Sequence, residues 1–107
     1  MKKGNIILVP FPFTDLTGNK LRPALVLLDS DEDVTVAFMT TEIHWKEETD
    51  ILLQPTTENG LKKESLIQLS KLATIDKELI LGRLGSLDHY TMKILNANLK
   101  RILKLDE

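Results

Sequence analysis

The sequence predicts a small, mainly β protein in which a curled antiparallel sheet or barrel is closed by a C-terminal helix. Short apolar runs separated by turn-forming residues predict the strands, and a change to helical spacing near the end predicts the helix. With 107 residues, the chain is long enough for one core of its own. We therefore expect a single domain spanning residues 1–107, without repeats or linkers.

The amino-acid composition limits the kinds of catalytic and metal sites that the chain can form. The chain has no cysteine and two histidines, so it offers no disulfide, thiol nucleophile or cysteine-based zinc site, and we expect neither a metal nor a cofactor. Fourteen basic and 16 acidic residues give a net charge of −2, so any site for a polyanion must be a local patch.

The N-terminal residues have a basic start and an apolar run, as a signal peptide does. Two prolines within the run and the lack of a small-residue cleavage site favour a strand of a cytoplasmic protein instead. No stretch of the sequence is long and apolar enough to span a membrane.

The first apolar run, residues 5–13, predicts a buried strand. Pro10 and Pro12 stand two residues apart, so both missing N–H donors fall on the same edge of that strand. We expect this edge to go unpaired or to bulge. Residues 14–21 include Asp, Gly and Asn and predict a loop that is longer than a tight hairpin requires.

Further strands follow from short runs of apolar and β-branched residues. They are predicted at residues 23–28, 34–41, 49–55, 65–70 and 81–87, with an acidic turn at 29–33, a turn at 58–60 and a helical turn at 74–79.

The last segment changes to helical periodicity. Asp88 is a suitable N-cap, and Leu87 and Met92 have the spacing of a hydrophobic staple. An apolar stripe then recurs at three- and four-residue spacing, at Met92, Leu95, Leu99 and Ile102. These features predict an amphipathic helix that begins after Asp88.

Few residues point to chemistry from the sequence alone. There is no phosphate-binding glycine loop and no recognisable Ser–His–Asp arrangement. His44 could serve as a general acid or base, but a histidine without a partner is more often an exposed loop residue, and His89 is expected to be structural. Arg22 precedes Pro23, which favours an extended backbone and limits its freedom. Such a cation suits a phosphate, and an ordinary surface arginine is the alternative.

Three segments together resemble the MazF/PemK family of toxins from toxin–antitoxin pairs. They are "GNIILVPFPFTDLTGNKLRPALVL", "VAFMTTEI" and "SLIQLSKLATIDKELILGRLGSL", which precede the predicted C-terminal helix. The resemblance covers nearly the whole chain. It implies the CcdB/PemK-like fold, an SH3-like barrel with a C-terminal helix, paired into a homodimer with an RNA groove across the dimer face.

The resemblance also implies an activity and partners. Members cleave single-stranded RNA or mRNA at short sequences without a metal, leaving 2′,3′-cyclic phosphate and 5′-hydroxyl ends. A cognate antitoxin, and operator DNA in the toxin–antitoxin complex, are the further partners implied. Inhibition of DNA gyrase, known from relatives on the same fold, is less favoured because the arginine of "RPALVL" belongs to the ribonuclease branch.

Carried over by position, the catalytic residues of the family are Arg22, which would stabilise the phosphorane and help protonate the leaving group, and Thr40, which would position the scissile phosphate. Thr41 would take the place of Thr40 if the register were shifted by one residue. The loop at residues 14–21 would cover the substrate, with Lys20 contacting a phosphate. The remaining substrate contacts implied by position are Thr14, Glu42, Gln68 and Ser70.

The chain departs from the family pattern at three positions, two of which are among these implied substrate contacts. Asn5 follows Gly4 where an aspartate is usual, and Gln68 and Ser70 stand where relatives often carry an arginine and an acid. Loss of that cation and its partner leaves an alternative: a catalytically weakened or inactive module that binds antitoxin, RNA or operator DNA without cleavage.

Overall fold

The structure, a computed structural model, describes residues 1–11 and 20–105. Its strands form one curled antiparallel sheet, a half-barrel with the strand order β4-β5-β3-β2-β1-β6, and this confirms the predicted fold class. The strands are β1 (Asn5–Pro10), β2 (Leu21–Asp29), β3 (Asp33–Thr40), β4 (Ile51–Leu53), β5 (Ser65–Asp76) and β6 (Gly82–Ser86), and one helix follows, α1 (His89–Ile102).

Strand β1 lies in the sheet between β2 and β6 and ends at Pro10, three residues before the predicted end. The Phe11 N–H donates to the carbonyl of Lys20 at 2.8 Å, on the β2 side. By alternation, the missing donor of Pro10 faces β6, where the β1–β6 pairing has already ended at Leu8. The predicted unpaired edge is confirmed for Pro10, whereas Pro12 lies outside the described residues.

Side chains on the two faces of the sheet form two apolar clusters, as strand alternation requires. The helix-side cluster packs against α1 and includes Ile6, Leu25, Ala37, Ile67, Leu69 and Leu95. The far-face cluster lies on the opposite face and includes Ile7, Val9, Ala24, Val26, Val36 and Phe38. Strands β1, β2 and β3 are therefore buried on both sides.

Strand β5 bends sharply where it passes β3. Its pairing shifts between Ala37↔Leu72 and Met39↔Ile67, so residues 68–71 lie opposite Phe38 alone. Extra residues on one strand bend it and increase the local twist. This irregularity curls the sheet.

Beyond the bend, β5 continues to Asp76, and this corrects two predicted boundaries. Thr74 pairs with Thr35 across the strands, and their hydroxyls are 2.7 Å apart. The predicted strand end at residue 70 is wrong, and the helical turn predicted at 74–79 is limited to Lys77–Leu79. Pairing with β3 extends the strand through residues whose sequence resembles a turn.

Helix α1 begins as predicted. The Asp88 carboxylate accepts a hydrogen bond from the Thr91 backbone N–H at 2.6 Å, and hydrogen bonds from Thr91 hold the pKa of Asp88 below its usual value. Leu87 and Met92 both pack in the helix-side cluster. No helix within residues 1–11 and 20–105 is long and apolar enough to cross a membrane.

A tight turn between β4 and β5 is organised by Asn59, whose side chain is 6% exposed. Its Oδ1 accepts from the backbone N–H groups of Thr56 and Leu61, both at 3.0 Å, and its Nδ2 donates to the carbonyl of Gln54 at 2.9 Å. We call residues 54–61 the Asn59 turn. All of the polar side-chain atoms of Asn59 have partners, so the turn is firmly held.

Candidate functional site

The site forms where β2 begins and β3 ends. Ala24 pairs with Phe38, so Arg22, two residues earlier on β2, and Thr40, two residues later on β3, lie opposite each other on one face of the sheet. The Arg22 guanidinium donates to Thr40 Oγ1 at 3.5 Å, a long hydrogen bond. Thr40, rather than Thr41, is therefore the threonine that contacts Arg22.

Packing holds the Arg22 side chain against the sheet. Its guanidinium carbon lies 4.5 Å from the centre of the Phe11 ring, a cation–π contact, and Phe11 in turn meets the Phe38 ring edge-on at 5.1 Å. Arg22 Nε is buried without a described hydrogen-bond partner. No carboxylate within residues 1–11 and 20–105 forms an ion pair with Arg22. Among the described residues, no carboxylate therefore neutralises its positive charge.

A cleft of about 190 Å³ opens beside this pair, and we call it the Arg22 cleft. Its walls come from the start of β2, the end of β3 and the start of β5, and the lining residues are Lys20, Leu21, Arg22, Pro23, Met39, Thr40, Thr41 and Ser65. Two cations and three hydroxyl-bearing residues thus share one cleft with apolar walls. This combination suits an oxyanion attached to an apolar body.

Several residues selected from the sequence lie in or beside the cleft. Lys20 and Thr41 line it and are exposed. Glu42 contributes its backbone, because its N–H donates to Thr40 Oγ1 at 3.1 Å, while its carboxylate is exposed and 3.8 Å from His44 Nε2. Thr40 Oγ1 therefore accepts from both Arg22 and the following loop, which fixes its orientation.

Gln68 and Ser70 lie within the irregular part of β5, and no described hydrogen bond connects either residue with Arg22 or Thr40. Gln68 is half-buried and Ser70 is exposed. They alternate with Ile67 and Leu69 of the helix-side cluster, and so face away from the helix. Thr14, with the rest of residues 12–19, lies outside the described residues.

Two further residues selected from the sequence, Asn5 and His44, lie near the ends of strands. Asn5 is 8% exposed, and its Oδ1 accepts from the Lys2 backbone N–H at 2.9 Å, so it closes the turn before β1. His44 is exposed, as expected, and its ring lies 5.2 Å from that of Trp45, a side chain that is itself 73% exposed.

Sequence reasoning missed Phe11 and Ser65. The Phe11 ring supports Arg22, and "PFPF" before an arginine-containing strand is the signal that could have indicated it. Ser65 is 3% exposed and lines the cleft although it is distant in sequence from Arg22. The pairing of β5 with β3 brings it there. Within the part of the chain that the structure describes, no cluster of three or more His, Asp or Glu residues could hold a metal ion.

The fold and the site define a class of protein: a curled β half-barrel with a small cleft at one end of the sheet, in which an arginine has no carboxylate partner among the described residues. A family model described as "PemK-like, MazF-like toxin of type II toxin-antitoxin system" matches residues 2–103. The chain belongs to this family. Comparison with curated proteins gives no match.

Solved structures share the fold. The Mycobacterium tuberculosis toxin MazF-mt6 is 20% identical, with a TM-score of 0.75 over 94% of this chain and 96% of that chain. An endoribonuclease in complex with its cognate antitoxin, from a mycobacterial species, is 19% identical, with a TM-score of 0.72 over 97% of this chain and 93% of that chain. A further mycobacterial endoribonuclease has a TM-score of 0.71 at 19% identity over 97% of this chain and 91% of that chain.

Proposed function

We propose that this protein is a toxin that cleaves single-stranded RNA at short sequences without a metal. The observation that carries the proposal is Arg22, a cation that contacts Thr40 and has no described carboxylate partner. An RNA strand carries its own nucleophile, so the protein has to supply positive charge and hydrogen bonds at one phosphate.

In the proposed reaction the ribose 2′-oxygen forms a bond to the adjacent phosphorus and loses its proton, and the bond from phosphorus to the 5′-oxygen breaks. The products are a 2′,3′-cyclic phosphate and a 5′-hydroxyl, whose oxygen takes up a proton. Arg22 stabilises the charge of the phosphorane and donates a hydrogen bond toward the leaving oxygen. Thr40 positions the phosphate through its hydroxyl, and Lys20 and Thr41 contact the strand beside it.

The proposed assembly is a cytoplasmic homodimer that a cognate antitoxin inhibits. A mycobacterial endoribonuclease with the same fold has been solved with its cognate antitoxin, which supports a protein inhibitor here. Binding of operator DNA by the toxin–antitoxin complex belongs to the same proposal. The Arg22 cleft is the surface on which antitoxin and RNA would compete.

A non-catalytic module is the second candidate, and one observation favours it. Gln68 and Ser70 supply neither the cation nor the acid that relatives often carry at these positions. In this alternative, the cleft binds a phosphate but supplies too little charge to the phosphorane for rapid cleavage.

The test compares wild type with Arg22→Ala on a long single-stranded RNA in the presence of EDTA, with the cut ends mapped and their termini identified. We expect wild type to cut at a short consensus and the variant to be slower by at least about a hundredfold, because the charge on the phosphorane loses its main partner. Arg101→Ala is the matched control, since Arg101 lies on α1 and pairs with Glu48.

Equal cleavage by wild type and Arg22→Ala would contradict the assignment of Arg22. If antitoxin-free wild type binds RNA but leaves it intact, the enzyme is ruled out and the non-catalytic module remains.

A further inference from the structure

A second cleft adjoins the first at the same end of the sheet. It has a volume of about 330 Å³, and we call it the lysine cleft. Its lining residues are Leu8, Pro23, Thr41, Gly60, Leu61, Lys62, Lys63, Ser65 and Leu84. Pro23, Thr41 and Ser65 line both clefts, so the two clefts share a wall, and we call the pair of adjoining clefts the groove.

The two ends of this groove are cationic and the wall between them is largely apolar. Arg22 and Lys20 lie at one end, and Lys62 and Lys63 lie at the other. Both lysines of the second pair are exposed, and neither forms an ion pair within residues 1–11 and 20–105. Like Arg22, the second pair thus has no carboxylate partner in the part of the chain that the structure describes.

The backbone that carries this lysine pair is held on both sides. The Asn59 turn precedes it, and Ser65 Oγ follows, donating to the Lys63 carbonyl at 2.9 Å. Gly60 has φ +69°, and a Cβ there would lie 2.0 Å from the Leu84 carbonyl oxygen, so the turn packs directly against β6. The positions of Lys62 and Lys63 along the groove are thus set by the fold before any ligand arrives.

We propose that Lys62 and Lys63 hold a second phosphate of the same RNA strand, while the nucleoside between the two phosphates lies along the apolar wall formed by Leu8, Pro23 and Leu84. This inference rests on the proposed function. A nucleic-acid strand alternates anionic phosphates with flat apolar-faced bases, and the groove alternates in the same way. The lysine cleft thereby selects which linkage reaches Arg22, because it fixes the register of the strand.

An acidic peptide with apolar side chains has similar chemistry. RNA is favoured because the lysine cleft shares a wall with the cleft in which Arg22 is proposed to hold the scissile phosphate, so a strand that passes over this wall can reach both clefts. A peptide ligand is therefore an outcome that the experiment separates.

The experiment compares Lys62→Gln/Lys63→Gln with the control Lys93→Gln/Lys100→Gln, which removes the same charge from exposed positions on α1. The ligand is an oligonucleotide around a mapped cleavage site, with a 2′-deoxy residue that prevents cutting. Binding is followed by anisotropy of a labelled end over a series of salt concentrations. We expect the first variant to bind about tenfold more weakly, with a salt slope reduced by about 0.7 for the lost phosphate contact, and the control to match wild type.

A second measurement locates the contact. One methylphosphonate, which is uncharged, replaces each linkage in turn. At a single linkage near the cleavage site, the substitution should weaken wild type but have no further effect on the Lys62/Lys63 variant. Cleavage of an ordinary RNA by this variant should become less selective among neighbouring linkages.

Three results would overturn the inference. If both double variants change RNA binding equally, the lysine cleft has no specific phosphate contact, and the proposed function still stands through Arg22. If the Lys62/Lys63 variant loses affinity for an acidic, apolar peptide but binds RNA normally, the cleft is a peptide site. If wild type binds no RNA, the inference and the proposed function both fail.

Discussion

The Asn59 turn and the Arg22 cleft are both built from polar side chains against apolar walls, but they differ in how their hydrogen bonds are satisfied. Asn59 is buried, and each polar atom of its side chain has a backbone partner at about 3 Å. Arg22 has one long hydrogen bond to Thr40, a buried Nε without a described partner and no described carboxylate beside it.

The difference separates structure from function. A buried polar group with all of its partners stabilises the folded chain, because any alternative conformation must break those bonds. A cation with one long hydrogen bond and no carboxylate partner among the described residues contributes less to stability and favours the binding of an anion. Mutations in the two regions should therefore move different measurements.

The largest effect on stability is expected from Asn59→Ala. Three backbone groups lose a buried partner at once, so the free energy of unfolding should fall by about 2–4 kcal/mol in denaturant titrations. Asn96→Ala is the matched control, since Asn96 is exposed and its side chain accepts a hydrogen bond from the exposed Lys3 ammonium, and its effect should be near zero. If the two variants lose equal free energy of unfolding, the buried hydrogen bonds of Asn59 do not stabilise the fold as the comparison with Arg22 assumes.

The next effect is on cleavage rather than on stability. Thr40→Ala removes the hydroxyl that accepts from Arg22 and from the Glu42 N–H, and we expect cleavage to slow about tenfold with only a small loss of stability. Thr41→Ala should slow cleavage less, and Thr40→Ser, which keeps the hydroxyl, should remain near wild type. Initial rates on one RNA measure all three. The opposite ranking of Thr40 and Thr41 would show that the contact seen with Arg22 has no role in the reaction.

The smallest effect concerns pH. Hydrogen bonds from Thr91 lower the pKa of Asp88 in the folded protein, so the carboxylate stabilises the fold above its unfolded pKa, near 3.9, and this contribution is lost as pH falls through the lower folded pKa. Asp88→Asn keeps an N-cap but cannot titrate. We expect its Tm to fall less than that of wild type between pH 6 and pH 3, by about a degree.

Asp31→Asn, in the exposed turn before β3, controls for the loss of one negative charge. If Asp31→Asn reduces the acid sensitivity as much as Asp88→Asn does, the cap does not account for the difference.

Most of the fold could be predicted because its signals are local. The apolar runs of β1, β2 and β3 and the helical spacing after Asp88 need no knowledge of neighbouring strands. The far half of β5 could not be predicted in this way, because residues 71–76 become a strand through pairing with β3. The bend at residues 68–71 could not be predicted either. Apolar and polar residues continue to alternate where β5 enters it, and only the pairing with β3 shows that β5 has extra residues there.

The residues of the candidate site likewise include some that could be predicted from the sequence and some that could not. Arg22 and Thr40 could be selected from their places at strand ends and from the family resemblance, and the sheet register brings them together. Ser65 and the lysine pair could not, because the groove joins β1, β2, β6 and the Asn59 turn, which are far apart in sequence. Lysines after a turn are ordinary surface residues until the wall beside them is known.

The exposed ring of Trp45 has a practical consequence for spectroscopy. It is the chain's single tryptophan and is 73% exposed in the folded protein, so its emission already reflects contact with water. Unfolding should shift this fluorescence only slightly, and melting curves should be recorded by circular dichroism instead. The same exposure makes Trp45 a reporter of binding. A molecule that covers the loop after Thr40 should change the tryptophan emission while the fold stays intact, and no other tryptophan contributes to the signal.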